Sequence, residues 1–327
     1  MAIKTYIEAI TDAMAEEMGN DPRVFVLGED VGVRGGVFRA TSGLIEKFGE
    51  SRVMDTPLAE SAIVGVAVGA AMVGMRPIAE IQFADFIMPA YNQIVSEAAR
   101  IRYRSNGDWT CPLTIRAPYG GGVHGALYHS QSVEALFHHV PGLKIVTPST
   151  PYEAKGLLKA AIRDEDPVLF FEHKRCYRLI KGEVPEEDYV LPIGKANVKR
   201  EGTDITVLTY GLMVHFCLEA AEALAQEGIS VHVVDLVTLK PLDVETILQA
   251  ARKTGKVLIV HEDNKFGGIG AEVSAIISEE ALFDLDAPVM RLCGPEIPAM
   301  PYSPPLEKFY LLTPSKIADA MRKLAQF

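Results

Sequence analysis

Two acidic segments lie where the sequence predicts strand ends, and their carboxylates could transfer protons or bind a ligand. Glu29 follows the hydrophobic run at residues 24–27, and Glu60 precedes a run of small residues at 61–74. Each has a plainer interpretation, because an acidic residue at the start of a helix offsets the helix dipole. In open parallel sheets, however, ligands bind beyond the carboxyl ends of the strands. Both carboxylates are therefore candidates for a functional role.

A glycine-rich segment with two histidines is the third candidate. It reads Tyr119-Gly120-Gly121-Gly122-Val123-His124-Gly125-Ala126-Leu127-Tyr128-His129-Ser130-Gln131. Consecutive glycines allow backbone conformations and close ligand approach that other residues hinder, and histidines can transfer protons near neutral pH. A metal site is conceivable, but no Cys or carboxylate lies beside these histidines at ligand spacing. The segment therefore favours proton transfer.

The elements that must position these residues form two successive α/β patterns. Predicted strands at 24–27, 77–83, 113–116, 144–147 and 168–171 accompany helices at 7–18, 61–74, 89–103 and 152–162. Further strands at 205–209, 230–236, 257–261 and 289–292 accompany helices at 213–226, 244–253, 269–280 and 315–324. Such alternation predicts parallel βαβ units with helices on both sheet faces. We expect an α/β fold of two doubly wound domains, at 1–185 and 205–327, with a linker at 186–204.

Composition and charge are those of a globular protein with an acidic surface. The 327 residues are 48% hydrophobic and 23% charged, with a net charge of −11, which argues against nucleic acid or an anionic membrane as the main partner. The four cysteines form no Cys-x-x-Cys pair and are expected to be reduced thiols of a cytoplasmic protein. We expect no targeting presequence and no membrane span, since the apolar run at 62–75 is short and rich in glycine.

Several common cofactor motifs are absent from the sequence. There is no phosphate-binding Gly-x-x-x-x-Gly-Lys-Ser/Thr loop and no strand-linked Gly-x-Gly-x-x-Gly with an acidic residue downstream. There is also no Gly-x-Ser-x-Gly elbow. The segment Gly267-Gly268-Ile269-Gly270 resembles a dinucleotide loop only loosely, and we expect it to begin a helix.

Motifs in order along nearly the whole chain resemble the transketolase-like β subunits of thiamine-diphosphate-dependent 2-oxo acid dehydrogenases. They are Gly28-Glu29-Asp30-Val31-Gly32, Gly35-Gly36-Val37-Phe38, Asp55-Thr56-Pro57-Leu58-Ala59-Glu60-Ser61, Pro148-Ser149-Thr150-Pro151, Val234-Asp235-Leu236 and Lys240-Pro241-Leu242-Asp243. Within this family, Gln82-Phe83-Ala84-Asp85-Phe86 and residues 124–131 most resemble the branched-chain enzymes. The resemblance implies a pyrimidine-binding transketolase-like domain followed by a transketolase C-terminal-like domain.

The resemblance also implies roles for individual residues. Glu60 would bind N1′ of the cofactor's aminopyrimidine and favour the imino tautomer, whose 4′-nitrogen takes the C2 proton. His129 would handle protons or guide a lipoyl group near C2, and Glu29 would relay protons beneath the pyrimidine. Further residues would line the cofactor: Leu58, Gln82 and Phe86. Some branched-chain relatives have Tyr at the position of Phe86, and family members usually have Arg at that of Val237.

Two metal ions are implied by the same resemblance. A structural potassium ion would be held, largely by backbone carbonyls, at Cys111, Leu113, Thr114, Ala161, Asp164 and Asp166. Ala161 and Asp166 stand where some relatives have Cys and Asn. Mg²⁺ anchors the diphosphate in this class through a Gly-Asp-Gly…Asn motif, and this chain contains no Gly-Asp-Gly. Because Mg²⁺ needs oxygen ligands, an α subunit would supply them.

The implied partners and reaction follow from these points. The chain would assemble with an α subunit as α₂β₂, and would meet the acyltransferase core through that protein's subunit-binding and lipoyl domains. The acidic stretch at 283–286 and Phe327 are candidate contacts with the basic subunit-binding domain. The expected activity is that of 3-methyl-2-oxobutanoate dehydrogenase: decarboxylation of a branched-chain 2-oxo acid and reductive acylation of the lipoyl group, only with the α subunit.

Three alternatives can be weighed against this interpretation. A β subunit of a pyruvate or acetoin dehydrogenase would use the same mechanism on another substrate. A non-catalytic docking subunit would retain the fold without the chemistry. A self-sufficient transketolase-type enzyme is excluded by the length of the chain and the missing diphosphate motif.

Overall fold

The computed structural model describes all 327 residues, which divide into two compact units. Unit 1 comprises Met1–Tyr119 and Leu136–Ile193, and unit 2 comprises Gly120–Ala135 and Gly194–Phe327. The glycine-rich segment with the two histidines thus clusters with the later part of the chain.

Strands and helices alternate along unit 1. Its strands are β1 (Ala2–Thr5), β2 (Val24–Gly28), β3 (Val53–Asp55), β4 (Arg76–Glu80), β5 (Thr114–Tyr119), β6 (Lys144–Val146), β7 (Val168–His173) and β8 (Lys181–Val184). Its helices are α1 (Tyr6–Asn20), α2 (Leu44–Phe48), α3 (Glu60–Met72), α4 (Ile101–Arg104), α6 (Pro151–Arg163) and α7 (Cys176–Leu179). Helix α5 (Glu134–His138) begins at the end of the glycine-rich segment.

Six strands of unit 1 form a parallel sheet in the order β6-β7-β5-β4-β2-β3. Strands β2, β5 and β7 are buried along their whole length, as expected of a sheet covered by helices on both faces. The chain runs from β2 outward to β3, and then returns to place β4 on the other side of β2. The sheet therefore has its topological switch point between β2 and β4, where ligands bind in such folds.

Two long helices of unit 1 are defined by their caps. Thr5 and Glu8 form a capping box at the start of α1, and Thr150 and Glu153 form another at the start of α6. The two helices pack against each other. They are also joined by a bidentate ion pair between Arg163 and Glu17, with nitrogen–oxygen distances of 2.7 and 2.9 Å.

The segment after β4 differs from the prediction of a strand to residue 83 and a regular helix at 89–103. The strand ends at Glu80, and the chain continues as a 3₁₀ helix (Ala84–Ala90), a π-helical turn (Gln93–Glu97) and another 3₁₀ turn before α4. Pro89 lacks the N–H that a regular helix needs at that position. As a result, Gln82 and Phe86 lie in the connection just beyond a strand end.

Unit 2 contains a five-stranded sheet. Its strands are β9 (Asn197–Arg200), β10 (Ile205–Thr209), β11 (Val231–Asp235), β13 (Val257–Asn264) and β14 (Met290–Gly294), in the order β14-β13-β10-β11-β9. Only β9 is antiparallel to its neighbour. Its switch point lies between β10 and β13. The short strand β12 (Thr238–Lys240) follows β11.

Unit 2 also contains five helices. They are α8 (Leu212–Ala225), α9 (Val244–Thr254), α10 (Ile269–Glu280), α11 (Pro304–Tyr310) and α12 (Pro314–Ala325). Helix α8 packs against α12, and α9 packs against α10. No helix of the chain has both the length and the apolar character that crossing a bilayer requires.

Candidate functional site

Three of the predicted site residues lie at the carboxyl edge of the unit 1 sheet. Glu29 directly follows β2 and Gln82 follows β4, so these two residues flank the switch point. Glu60 is the first residue of α3, close behind the end of β3. The fold therefore places these side chains where parallel α/β proteins bind ligands.

The two carboxylates interact electrostatically. Glu60 is buried, with 9% of its surface exposed, and Glu29 is half-buried. Partial burial raises the pKa of Glu29, and the negative charges of Glu60 and Asp30 raise it further. A carboxyl group with a raised pKa beside a second carboxylate is suited to holding and passing on a proton.

A loop at residues 30–42 is held at the same edge by side-chain hydrogen bonds. The Asp55 carboxylate accepts a hydrogen bond from the Gly32 N–H at 2.6 Å. The Thr41 hydroxyl donates to the Val31 carbonyl at 2.7 Å. Gly36 has φ +79°, and a Cβ there would lie 3.1 Å from a carboxylate oxygen of Glu80. This position therefore favours glycine on both conformational and steric grounds.

Aromatic rings form an apolar wall in the connection after β4, whose 3₁₀ helix packs against α3, the helix that begins at Glu60. Phe83 packs edge-on against Phe86, with ring centroids 5.8 Å apart, and against Phe38, at 5.3 Å. Phe86 is half-buried, whereas Leu58 is 78% exposed. A partly open aromatic surface next to a buried carboxylate fits a planar heterocycle that carries a nitrogen to be hydrogen-bonded.

A buried charge network behind the switch point was not predicted from the sequence. Arg116 on β5 has no exposed surface and forms a bidentate pair with Glu172, at 2.6 and 2.7 Å. It also donates to Glu80 at 2.5 Å, and the Tyr177 hydroxyl donates to Glu172. Burial raises the pKa of Glu80, and Arg116 partly offsets this. The only sequence signal was an arginine inside an apolar strand.

His129 lies in unit 2, at the end of a 3₁₀ turn at Ala126–Tyr128, and is half-buried. A Cβ at Gly125 would lie 2.6 Å from both the Cβ and the carbonyl oxygen of His129. Glycine at 125 is therefore required for the chain to fold closely around this histidine.

Two buried carboxylates of unit 2 anchor the glycine-rich segment. Glu262, on β13, accepts the Gly121 N–H at 2.5 Å. Glu307, on α11, accepts the His124 N–H at 3.2 Å and contacts the ring Nδ1 at 2.6 Å. His124 thus has a structural partner in Glu307, which no sequence motif indicates.

A third carboxyl group, that of Glu134 just after the glycine-rich segment, is buried at the unit 2 switch point. Glu134 accepts a hydrogen bond from the Tyr210 hydroxyl at 2.7 Å, while its second oxygen has no hydrogen-bond donor. Burial, followed by the charge of Asp263, raises the pKa of Glu134 to about 8. Burial also raises the pKa of Asp263, to about 6.

The positions expected to hold potassium come together in unit 1, but two cationic side chains already bind there. Arg76 donates to the Asp164 carbonyl, and Lys144 donates to the Asp164 carboxylate. A further cation at Asp164 would be repelled by both, so this donor set does not fit a bound potassium ion. Elsewhere in the chain, no three His, Cys, Asp or Glu side chains converge as metal ligands.

Comparisons with known proteins agree with this architecture. The chain matches the family described as "Transketolase, pyrimidine binding domain" over residues 3–180, and "Transketolase, C-terminal domain" over 194–317. It is 73% identical to the 2-oxoisovalerate dehydrogenase subunit beta of Bacillus subtilis and 51% identical to the pyruvate dehydrogenase E1 component subunit beta of the same organism, in both cases over the full length of both chains. A solved split-gene transketolase, described as an inactive beta4 tetramer, superposes with a TM-score of 0.80 at 27% identity over 98% of each chain.

Proposed function

The chain belongs to the transketolase-like β subunits of the thiamine-diphosphate-dependent 2-oxo acid dehydrogenases, and we propose that with an α subunit it forms the decarboxylase for branched-chain 2-oxo acids. The observation that carries this proposal is the buried Glu60 at the carboxyl edge of the unit 1 sheet, beside Glu29 and an aromatic wall. The identity of 73% to a 2-oxoisovalerate dehydrogenase subunit, against 51% to a pyruvate dehydrogenase subunit, supports the branched-chain substrate.

The residues at this edge would bind the pyrimidine half of thiamine diphosphate. When bound, this cofactor supplies the carbanion sink for decarboxylation. Glu60 would accept a hydrogen bond from N1′ of the aminopyrimidine, and Phe86 would pack on its ring. Leu58 and Gln82 would complete the lining, and Glu29 would hold a proton next to Glu60. His129 would handle protons or position the lipoyl group of the acyltransferase.

An α subunit would complete the cofactor site. The family anchors the diphosphate through Mg²⁺ and a Gly-Asp-Gly…Asn motif, and no Gly-Asp-Gly occurs in this sequence. We therefore assign the Mg²⁺ ligands to the α subunit of an α₂β₂ assembly. The acyltransferase core would engage this assembly through its subunit-binding and lipoyl domains.

Replacing Glu60 with Gln tests the catalytic role. A glutamine retains the size of the side chain but cannot favour the imino tautomer as a carboxylate does. We expect decarboxylation of 2-oxoisovalerate by the reconstituted enzyme to fall by at least about 100-fold, as for loss of a general acid–base group. The matched control is Glu50→Gln, an exposed glutamate in the same unit. Full activity of Glu60→Gln would instead support a non-catalytic docking subunit.

Substrate preference separates the branched-chain enzyme from the pyruvate or acetoin enzymes. We expect kcat/KM for 2-oxoisovalerate to exceed that for pyruvate by at least about 10-fold, since additional methyl groups in an apolar pocket give discrimination of this order. The measurement is initial-rate kinetics of the reconstituted α/β pair with each substrate. A preference for pyruvate would replace the branched-chain proposal with the pyruvate alternative.

A further inference from the structure

The carbonyl oxygens at the C-terminal end of α6 bind a guanidinium group. Arg76, the first residue of β4, donates through one nitrogen to the carbonyls of Ile162 and Asp164, both at 3.0 Å. Its second terminal nitrogen pairs with the Glu165 carboxylate, and only 13% of the side chain is exposed. The last carbonyls of a helix lack intrahelical donors and attract positive charge. Arg76 therefore satisfies the groups that would otherwise attract a free cation.

A second cationic side chain, that of Lys144, binds the carboxylate of Asp164. The Lys144 ammonium lies 2.7 Å from both carboxylate oxygens of Asp164 and 3.7 Å from Asp166. Arg102 in turn donates to Asp166 at 2.6 Å. Three cationic side chains thus face three carboxylates in this cluster, so its charge is balanced without a metal ion.

Three of the other carbonyls expected to coordinate potassium also have donors. The Leu113 oxygen accepts the Val168 N–H at 2.9 Å, and the Cys111 oxygen accepts the Leu113 N–H at 2.7 Å. The Ala161 oxygen accepts the Asp164 N–H at 3.3 Å. These bonds belong to a strand, a turn and a helix end.

We propose that Arg76 and Lys144 take the place of the structural potassium ion in this chain, so that the fold around residues 111–114 and 161–166 is independent of potassium. The physical reason is that both side chains bind Asp164, whose carbonyl and carboxylate would otherwise be among the ion's ligands. Two covalently tethered cations need no ion from solution, and their charges repel one.

Stability in different salts tests this proposal on the full chain. We expect the Tm of the wild-type chain in potassium chloride to equal that in choline chloride at the same ionic strength. Removing the guanidinium with Arg76→Thr exposes the two carbonyls, so we expect the Tm to fall in choline and to recover in part with potassium. Arg23→Thr is the matched control, because Arg23 is an exposed neighbour that pairs with Asp21 and leaves the α6 carbonyls untouched. We expect the Tm of Arg23→Thr to be the same in potassium chloride and in choline chloride.

Crystals of the wild-type protein soaked in thallium acetate give a second test that needs no variant. Thallium replaces potassium and is located by its anomalous scattering. No thallium near Asp164 is the expected result. A thallium peak within ligand distance of the Asp164 carbonyl oxygen, or a potassium-specific rise in the wild-type Tm, overturns the proposal. Equal responses of Arg76→Thr and wild type to potassium contradict the role given to Arg76.

Discussion

Arg116 is a fully buried cation whose position is set by two carboxylates. Transferring such charges out of water is costly, and the cost is offset only because Glu172 binds the guanidinium through both oxygens and Glu80 binds a third donor. Burial alone would lower the pKa of Arg116, but the charges of Glu172 and Glu80 raise it. The guanidinium therefore stays charged and ties together β4, β5 and β7 at the edge that carries the candidate site.

Removing only the cation should be strongly destabilising. Arg116→Met leaves two buried carboxylates without a counter-charge, and we expect a loss of roughly 3–5 kcal/mol in the free energy of unfolding. Chemical denaturation of the full chain measures this loss. The triple variant Arg116→Met, Glu80→Gln, Glu172→Gln removes the uncompensated charge and should recover part of it. If the single and triple variants were equally unstable, lost packing rather than charge would explain the effect.

Glu134 gives unit 2 a dependence on pH. Its pKa is about 8 in the folded chain, above its ordinary value of 4.5, because it is buried and faces the negative charges of Asp263 and Glu262, which outweigh the opposing hydrogen bond from the Tyr210 hydroxyl. The folded chain therefore binds more protons than the unfolded chain between these two pH values. The free energy of unfolding consequently falls as the pH rises from about 4.5 to about 8.

Glu134→Gln should weaken this dependence. Glutamine keeps an oxygen for the Tyr210 hydroxyl and carries no charge, so we expect the variant to be more stable than wild type above pH 8, and the difference to shrink toward pH 5. The measurement is the Tm of the full chain across this range. Glu279→Gln, an exposed glutamate on α10, is the control and should follow wild type. A wild-type pH profile in Glu134→Gln would contradict the assignment.

At the scale of elements, the glycine-rich segment is held by β13 and α11 of unit 2. Glu262 and Glu307 each accept backbone N–H groups from it, and Glu307 also pairs with the His124 ring. These bonds compensate for an irregular backbone in which His124 and Ala126 both have positive φ. His129 follows His124 by five residues in the same segment.

Loss of the α11 anchor should loosen this segment selectively. With Glu307→Ala, the His124 N–H and ring lose their partner, so we expect faster backbone hydrogen exchange at residues 121–131 than in wild type. Lys308→Ala is the control on the same helix, because its side chain is exposed. Hydrogen exchange measured by mass spectrometry distinguishes the two variants. Unchanged exchange in Glu307→Ala would show that the remaining contacts are sufficient.

The sequence predicts elements with strong local patterns closely. It does not predict strands that form only by pairing with segments far away in the chain. Helix α10 was expected at 269–280 and spans Ile269–Glu280, because a glycine-rich start precedes an apolar periodicity. Strand β9 lies in the stretch at 186–204 where local composition indicates a linker, and strand β8 lies just before it, where no strand was predicted. They form by pairing with β1 and β11, far away in sequence.

The same distinction holds for side chains. Glu29 and Glu60 could be proposed from the sequence because Glu29 follows a predicted strand and Glu60 precedes a predicted helix, and the sheet places both at one edge. Arg116, Glu307 and Arg76 could not, since their partners lie 36 to 183 residues away. Burial of a charge depends on such partners, and periodicity alone does not reveal them.

For the molecule as a whole, we propose that the chain supplies half of a cofactor-binding site. The edge of the unit 1 sheet offers a buried carboxylate and aromatic rings, which suit a heterocycle. The diphosphate of thiamine diphosphate needs Mg²⁺ and oxygen ligands, and the family's motif for these is not in the chain. Affinity for the intact cofactor should therefore depend on the α subunit.

Calorimetry with thiamine diphosphate and Mg²⁺ measures that dependence. We expect the isolated chain to bind the cofactor at least about 100-fold more weakly than the co-expressed α/β pair, a difference of roughly 2.7 kcal/mol, because only contacts to the pyrimidine remain. Thiamine without the diphosphate is the control ligand: its weak affinity for the isolated chain should be close to that of the full cofactor. Glu60→Gln should weaken binding to both. Tight binding of thiamine diphosphate by the isolated chain would mean that the chain carries its own diphosphate site, and would remove the reason for assigning Mg²⁺ to the α subunit.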